Sequence, residues 1–239
     1  MELLEPGAPE ERLLFVQRPR LALQVGCATA PIEGESLCGD SVLHQRLDAS
    51  RALLALSDGM GSGAAARAES RSALSLLEGA LRAGYARQDA LRTVNGLLMA
   101  CRGDEMYATM DLCVIDLDSG EAAFEKLGAC PSFILRAGKC RRIGGDALPL
   151  GIVDAVRPRA LAARLLPGDM LLMVSDGITD AFGGEDGPLL RALGGLAPPG
   201  GTAEPQQLAQ TLLRRALERA GGAALDDMTV LAATVREAC

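Results

Sequence analysis

The sequence predicts an α+β fold, specifically an α/β/β/α sandwich of two antiparallel sheets flanked by helices. Three observations lead to this prediction. Short apolar stretches, several of them alternating with polar residues, recur along the chain and are typical of strands. Short turns that contain glycine join some of these stretches and favour antiparallel hairpins. Helix-forming stretches lie between groups of strands, an order that favours sheets with helices on their outer faces.

The N-terminal part of the chain is predicted to be a lead-in followed by strands. Residues 1–12 are assigned to the lead-in and residues 13–239 to one domain, since 239 residues can bury a substantial core in a single unit. The pattern predicts one or two strands within 13–30, a loop at 31–39, and further strands at 41–46 and 52–57.

Two helices are predicted after these strands. The first covers residues 64–82, is rich in alanine, and can end at Gly84. Its leucines recur at helical spacing, at Leu74, Leu77 and Leu81. The second helix covers 88–101 and has an apolar face made of Leu91, Val94, Leu98 and Cys101.

The second half of the chain returns to strands. They are predicted at 108–117, 122–127, 132–137, 140–143, 160–166, 170–175 and 228–235. Turns at 118–120 and 137–139 predict hairpins. The stretch 183–201 is rich in glycine and proline and is expected to cover a surface, and 205–220 is an amphipathic helix.

Charge and cysteine content exclude several classes of function. The net charge of −7 argues against a nucleic-acid partner, because phosphate backbones need clustered Lys and Arg. The locally basic stretch 136–142 is expected to be a solvated hairpin turn. Seven cysteines without a Cys-x-x-Cys pair argue against a disulfide framework or a zinc ribbon and indicate a reducing compartment.

Targeting signals are not visible in the sequence. The first residues are acidic, and no run approaches the ~20 apolar residues of a membrane span. The protein is therefore expected in the cytoplasm, or at the cytoplasmic face of a membrane if this chain is a fragment of a longer membrane protein.

Four short segments each place an aspartate at the end of an apolar strand. These segments contain Asp40, Asp58-Gly59, Asp176-Gly177 with Asp180, and Asp226-Asp227. Strand ends at one edge of a sandwich can bring such carboxylates together, and clustered carboxylates repel each other unless a cation lies between them. Oxygen-only ligands favour hard ions such as Mg²⁺ or Mn²⁺. Asp118 and Asp169, in contrast, are interpreted as turn residues.

These motifs resemble the metal-dependent (PPM) protein phosphatases, most closely the stage II sporulation protein E phosphatase domains. The resemblance extends from about Gly34 to Val235. It depends on the order and spacing of six motifs: Gly39-Asp40-Ser41, Ser57-Asp58-Gly59-Met60-Gly61-Ser62-Gly63, Asp104 to Asp111-Leu112, Leu148-Pro149-Leu150-Gly151-Ile152, Ser175-Asp176-Gly177 and Asp226-Asp227-Met228-Thr229.

The resemblance implies a role for each matched residue. Asp58 matches the carboxylate that bridges two metal ions, and Gly59 matches a glycine whose backbone carbonyl is a ligand. Asp176 and Asp226 match further metal carboxylates, and Asp40 matches an acid that orients a water. Asp58 and Asp176 are therefore the predicted catalytic residues. The implied cofactors are two Mn²⁺ or Mg²⁺ ions, which would activate water for direct attack on phosphorus.

Three positions differ from the family pattern or leave a choice open. Many relatives have an arginine before the first acidic motif that binds the substrate phosphate, but 32–38 contains none. Asp180 matches a ligand of a third metal site whose second acid is missing near 127–131, so that site is expected to be weak or empty. Asp227 matches a position that is commonly an amide, which leaves a one-residue choice between it and Asp226.

The resemblance also implies partners. The substrate would be a phosphoserine on an anti-anti-sigma factor protein, and its dephosphorylation would activate a sporulation sigma factor. A stress-response sigma-regulator phosphatase of the same family is the alternative. The two predicted helices would act as a switch, with Gly61 and Gly63 as a hinge, and would respond to homodimer contacts through the catalytic domain.

Individual residues permit other interpretations. Cys130 to Arg136 fits the Cys-x5-Arg spacing of tyrosine phosphatases, but its apolar middle favours a strand over the phosphate-binding turn that those enzymes need. His44 is either a general acid or, more often for a lone histidine, a structural residue. The chain could also be a catalytically silent module that binds a phosphoprotein, although such a module has no need of a dense acidic cluster.

Overall fold

The computed structural model describes residues 18–100, 107–144, 147–154, 156, 160–184, 186–196 and 204–238. Ten strands are present in this part of the chain: β1 Leu21–Ala30, β2 Ser41–Arg46, β3 Arg51–Ser57, β4 Met110–Asp116, β5 Glu121–Leu127, β6 Ser132–Arg136, β7 Lys139–Ile143, β8 Leu161–Arg164, β9 Met170–Val174 and β10 Met228–Glu237. Five helices accompany them: α1 Gly63–Arg82, α2 Arg87–Ala100, α3 Asp176–Ala181, α4 Asp186–Gly194 and α5 Pro205–Arg219.

The strands form two five-stranded sheets in which the neighbours are antiparallel. One sheet has the order β1-β10-β9-β6-β7, and the other has the order β2-β3-β4-β5-β8. Helices α1 and α2 pack on the outer face of the β2–β8 sheet, while α3, α4 and α5 pack on that of the β1–β7 sheet. The predicted α/β/β/α sandwich is confirmed.

The central strands are buried on both faces because each face meets a different apolar layer. In β3, Leu54 and Leu56 face the core between the sheets, whereas Leu53 and Ala55 face α1 and α2. Successive side chains of a strand point to opposite faces, so a continuous apolar run fits such a position. The run of apolar residues in β10 has the same cause, since the strand lies between the central core and α5.

Helix α1 begins and ends where the sequence predicts, within one residue. Its buried positions include Leu74, Leu77 and Leu81, which pack with residues of α2 and β3. Gly84 follows the helix with a φ of 89°, a left-handed conformation that glycine adopts without strain. The predicted continuation of the second helix to Cys101 lies outside the described residues, as does the 101–106 part of the motif that contains Asp104.

The stretch that is expected to cover a surface contains a helix for which the sequence analysis made no prediction. The Gly- and Pro-rich stretch 183–201 contains the helix α4, whose Leu189 and Leu193 are fully buried against the outer face of the β1–β7 sheet. The two leucines are four residues apart and lie on one helical face. Two apolar positions at this spacing are a weak signal within a stretch dominated by glycine, which explains why the helix was missed.

The predicted turns are confirmed, and two of them involve aspartates. The Asp116 carboxylate accepts hydrogen bonds from the backbone of Asp118 and Ser119, at 3.0 and 2.7 Å, which fixes the β4–β5 turn. Asp169 is buried in the turn before β9 and accepts two hydrogen bonds from the Arg136 guanidinium. Asp169 is therefore a turn residue, as predicted. It also forms an ion pair with Arg136 that connects this turn to β6.

None of the helices in the described part of the chain has the length and apolar character of a membrane-spanning segment.

Candidate metal centre

Four strand ends meet at one edge of the sandwich, and each carries an aspartate. Ser41 lies opposite Ser57 in the antiparallel β2–β3 pair. Asp40, which precedes β2, therefore lies at the same edge as Asp58, which follows β3. In the second sheet, Asp176 follows β9 and Asp226 precedes β10, which are paired antiparallel strands. The two sheets thus contribute two carboxylates each to the acidic cluster, which comprises Asp40, Asp58, Asp176 and Asp226.

Asp58 experiences the charges of all the other members of the acidic cluster. The pKa of Asp58 is raised to about 8. Burial is the largest cause, and the charges of the Asp40, Asp176 and Asp226 carboxylates contribute the rest. Its backbone is held by Thr109, the residue before β4, because the Asp58 N–H donates to the Thr109 hydroxyl and the Asp58 carbonyl accepts from the Thr109 N–H, both at 2.9 Å. A rigid backbone thus holds this carboxylate beside three others.

Asp40 is the most deeply buried carboxylate of the acidic cluster, with 2% of its surface exposed. Burial raises its pKa to about 7, the nearby hydroxyls of Thr229 and Ser175 lower it, and the Asp227 and Asp176 carboxylates raise it. Within the described residues, neither of its side-chain oxygens has a hydrogen-bond partner. Buried acceptors without partners are rare in folded proteins, so these two oxygens indicate a ligand such as a water or a cation.

Asp176 and Asp180 both lie on the short helix α3. Desolvation raises the pKa of Asp176, and the Asp226 and Asp180 carboxylates add to the increase, although the residue is exposed on one side. Asp180 is exposed one turn later on the same helix. The segment 128–130, which faces Asp176 across a small cavity, carries no acid. The expected weakness of a third metal site at Asp180 stays a prediction.

Asp226 and Asp227 occupy different environments although they are adjacent. Asp226 is exposed, and its charge raises the pKa of both Asp58 and Asp176. Asp227 is 2% exposed, and its two oxygens accept hydrogen bonds from the backbone N–H groups of Ile32 and Gly39 at 2.9 and 2.8 Å. The geometry favours Asp226 as the metal ligand and assigns Asp227 to anchoring the loop before Asp40.

Opposite effects are expected when the two residues are replaced by asparagine. Asp226→Asn should lower apparent Mn²⁺ affinity by at least about 100-fold with little change in stability, because a ligand oxygen is lost from an exposed position. Asp227→Asn should lower the free energy of unfolding by about 1–3 kcal/mol, since one buried N–H then faces an amide donor. Calorimetric metal titration and urea unfolding of both variants measure these effects. The reverse pattern would make Asp227 the ligand.

Gly59 lies where helix α1 approaches the metal-centre loop. A Cβ atom at this position would lie 2.0 Å from the backbone carbonyl oxygen of Ala66. Because the clash is with the backbone of a helix, the loop or the helix would have to move. Glycine here therefore serves close packing, in addition to the role as a carbonyl ligand that the resemblance implies.

Gly59→Ala is expected to reduce Mn²⁺-dependent phosphatase activity by about 100-fold, because a displacement of about 1 Å at a reacting centre has effects of this size. Gly79→Ala provides the matched control. Gly79 lies in α1, where no atom of the described residues is within 4 Å of an added Cβ, and alanine should stabilise the helix by ~0.5–1 kcal/mol. Steady-state kinetics with thermal unfolding would test both variants, and wild-type activity of Gly59→Ala would contradict the close approach.

A buried ion pair lies beside the acidic cluster. Lys126 and Asp111 are cross-strand neighbours in β4 and β5, each 1% exposed, and the Lys126 Nζ lies 2.5 Å from Asp111 Oδ2. Ser132 of the other sheet donates to the same oxygen at 2.7 Å. Asp111 also lines a cavity of about 20 Å³ together with Asp58 and Asp176. This volume suits a single water molecule, and the second oxygen of Asp111 is without a partner.

The acidic cluster fits cations held partly by water. No trio of His, Cys, Asp or Glu side chains within the described residues is placed to ligate a single ion. Mg²⁺ and similar ions are commonly bound through one or two carboxylates and retain several waters. The aspartates of the acidic cluster repel one another, and the Asp40 oxygens lack hydrogen-bond partners within the described residues. Both features suit cations that are bound in this way. The metal sites themselves stay a prediction.

The two alternative readings of single residues gain no support. Cys130 precedes the strand β6, and burial raises the pKa of its thiol to about 11, whereas a nucleophilic cysteine needs a lowered pKa. His44 is an exposed residue of β2, and no contact within the described residues marks it as a general acid.

Two functional features were missing from the sequence interpretation. The first is the Lys126–Asp111–Ser132 triad, which is recognisable only from strand pairing. The second is Asn95, which is 1% exposed in α2 and binds the loop of the 148–152 motif. Its side chain accepts from the Gly151 N–H at 2.8 Å and donates to the Val153 carbonyl at 2.9 Å. A polar residue on the apolar face of a predicted helix was the available signal.

The chain is similar to known proteins over most of its length. Residues 48–236 match the family model described as stage II sporulation protein E (SpoIIE). The chain is 35% identical over 212 residues to stage II sporulation protein E of Bacillus subtilis (strain 168), a match that covers 87% of this chain and 25% of that protein. It is 32% identical over 223 residues to the Priestia megaterium protein of the same name, covering 90% and 36%. The chain thus spans about a quarter to about a third of these relatives.

A solved structure is similar over most of the chain. It is that of the PP2C phosphatase domain and a fragment of the regulatory domain of the cell fate determinant SpoIIE from Bacillus subtilis. The TM-score is 0.82 at 32% identity, and the alignment covers 92% of this chain and 66% of that one.

Proposed function

The chain belongs to the stage II sporulation protein E family, and we propose from this membership that it is a metal-dependent phosphatase of phosphoserine and phosphothreonine in proteins. The observation that carries the proposal is the meeting of Asp40, Asp58, Asp176 and Asp226 at one edge of the sandwich. The carboxylates at these strand ends raise the pKa of Asp40, Asp58 and Asp176, and divalent cations would relieve that repulsion.

The aspartates have different tasks in this proposal. Asp58 would hold two Mn²⁺ or Mg²⁺ ions, Asp176 and Asp226 would be further carboxylate ligands from the other sheet, and the Gly59 carbonyl would be another ligand. When bound, the ions activate water and neutralise charge on the phosphoryl oxygens. Asp40, buried and without hydrogen-bond partners, orients a water at the cluster. The leaving group is the serine or threonine hydroxyl, and no covalent phospho-enzyme forms.

The proposed substrate is a phosphoserine protein that acts as an anti-anti-sigma factor, so that its dephosphorylation activates a sporulation sigma factor. The support is the family membership and the likeness to the SpoIIE phosphatase domain. The cytoplasm is the proposed compartment, since Cys27, Cys38, Cys113, Cys130 and Cys140 are free thiols. Dimer contacts that move α1 and α2 are part of the same proposal, with two positive-φ glycines as the hinge: Gly61 before α1 and Gly63 at its first position.

The experiment that tests the reaction class is release of phosphate from a phosphoserine protein. We expect release with Mn²⁺, none with EDTA, and a loss of at least about 10³-fold in Asp176→Ala. Release that persists in EDTA would contradict metal dependence. No release at any Mn²⁺ concentration, together with calorimetric metal binding that is independent of Asp58, would indicate a silent phosphoprotein-binding module instead.

A further inference from the structure

A groove runs along helix α1 away from the acidic cluster. Its volume is about 340 Å³, and it extends from Asp40 at one end to Glu78 at the other. Thr29 of β1 and Val42 of β2 form its opposite wall. Both strands lie at the edge of their sheets and pair on one side only within the described residues. The groove therefore follows an opening between the sheets that leads directly to the acidic cluster.

Two arginines of α1 line this groove without a carboxylate partner. Arg67 is half-buried and donates only to the Cys38 carbonyl, at 3.1 Å, while exposed Arg71 makes no ion pair or hydrogen bond in the described part of the chain. Glu78 at the far end is already paired with Arg82 at 2.8 Å. Two uncompensated guanidinium groups in a chain of net charge −7 indicate an anionic ligand.

Arg67 also reaches the loop in which a phosphate-binding arginine is missing. Residues 32–38 contain no arginine, but the Arg67 guanidinium contacts the backbone of Cys38 from α1. The second arginine of the groove, Arg71, lies four residues further along the same face of α1, about 6 Å along the helix axis. An extended peptide advances ~3.3 Å per residue, so this distance corresponds to about two residues.

We propose that the α1 groove binds the phosphorylated segment of the substrate protein, with Arg67 on the phosphoryl group and Arg71 on an acidic side chain two residues away. The proposal rests on the phosphatase function. Guanidinium groups bind phosphate and carboxylate through paired, charge-assisted hydrogen bonds. The groove thus selects phosphoserine segments with a glutamate or aspartate two residues from the phosphoserine.

The kinetics of two phosphoserine peptides test this assignment. One peptide has a glutamate two residues before and two residues after the phosphoserine, and the other has glutamine at both positions. Arg67→Gln should raise the KM for both peptides and the inhibition constant of inorganic phosphate by about tenfold. Arg71→Gln should raise the KM of the glutamate peptide alone, by at least about threefold, and leave phosphate inhibition unchanged. Arg92→Gln, an exposed arginine of α2 that pairs with Asp89, is the matched control.

The assignment is overturned if both α1 variants remain within about twofold of wild type in every constant, since a charge-assisted contact has a larger effect. Equal effects of Arg71→Gln on the two peptides would overturn the two-residue spacing. Glutamine keeps the helix propensity of arginine, and circular dichroism checks the fold of each variant. Peptide binding to Asp176→Asn, measured by fluorescence anisotropy, separates the groove from catalysis. Without turnover in the wild type, weaker phosphopeptide binding by the arginine variants still supports the groove, and unchanged binding overturns it.

Discussion

Replacing Asp58 by asparagine should abolish phosphatase activity and at the same time stabilise the metal-free protein. Activity is expected to fall by at least about 10³-fold, because the carboxylate proposed to bridge both ions is lost. The free energy of unfolding without metal should rise by ~1–3 kcal/mol near neutral pH, since folding no longer has to protonate a partly buried carboxylate that is ionised in the unfolded chain. Phosphate release and urea unfolding in EDTA measure the two effects.

The pH dependence of the metal-free protein follows from the same residue. The pKa of Asp58 is raised from 3.8 to about 8 in the folded state, so between about pH 4 and pH 8 the folded protein binds more protons than the unfolded chain. The free energy of unfolding therefore falls as the pH rises through this window. Asp40, with its pKa raised to about 7, adds to the same slope. Mn²⁺ should reverse the loss at the alkaline end, and Asp58→Asn should flatten the slope.

An exposed aspartate offers the matched control for this prediction. Asp89 lies on α2 with its side chain 57% exposed, and Asp89→Asn should leave activity and the pH slope as in the wild type. Activity in Asp58→Asn close to that of wild type would remove Asp58 from the metal centre. An unchanged pH slope in Asp58→Asn would show that the four carboxylates are not close enough to interact.

Lys126→Met should be among the most destabilising single substitutions, lowering the free energy of unfolding by about 3–5 kcal/mol. The ammonium group of Lys126 donates to Asp111, to the Cys130 carbonyl and to the Ser132 hydroxyl at 2.5–2.8 Å. Its removal leaves Asp111 as a charge that is buried, 1% exposed, and without its cation. Urea unfolding monitored by circular dichroism measures the loss.

The double variant Lys126→Met with Asp111→Leu separates the ion pair from simple packing. Replacing both partners by apolar residues should recover most of the lost stability, because no buried charge then remains. Arg82→Met is the control, since it removes an exposed pair with Glu78 and should lower the free energy of unfolding by at most about 1 kcal/mol. Equal losses in the single and double variants would mean that the unpaired Asp111 charge is not the cause of the lost stability.

The layered fold was predictable because its signals are local. Apolar runs such as the one in β3 and the leucine spacing of α1 each depend on a few neighbouring residues, and the structure has them within one or two positions. The helix α4 was missed because a glycine-rich stretch carried only two apolar positions at helical spacing, and packing against the β1–β7 sheet outweighs that weak local preference.

The candidate site was predictable to the level of its aspartates. Asp40, Asp58, Asp176 and Asp226 stand at strand ends in the sequence, and the structure brings these strand ends together. The sequence left the choice between Asp226 and Asp227 open. Hydrogen bonds from Ile32 and Gly39, almost 200 residues away, distinguish the two. Their roles as metal ligands stay predictions until metal binding is measured.

The sequence by itself determined the sandwich, the turns and the set of acidic strand ends. The spacing of apolar residues, the residue types of turns and the ends of strands are all properties of short segments. Only the tertiary structure decided which distant side chains meet. Lys126 faces Asp111 through the register of β4 and β5, and Ser132 reaches both from the opposite sheet. Arg67 approaches the Cys38 loop because α1 packs beside β2. Strand order and helix docking are set by burial summed over the whole core, so no short segment encodes these contacts.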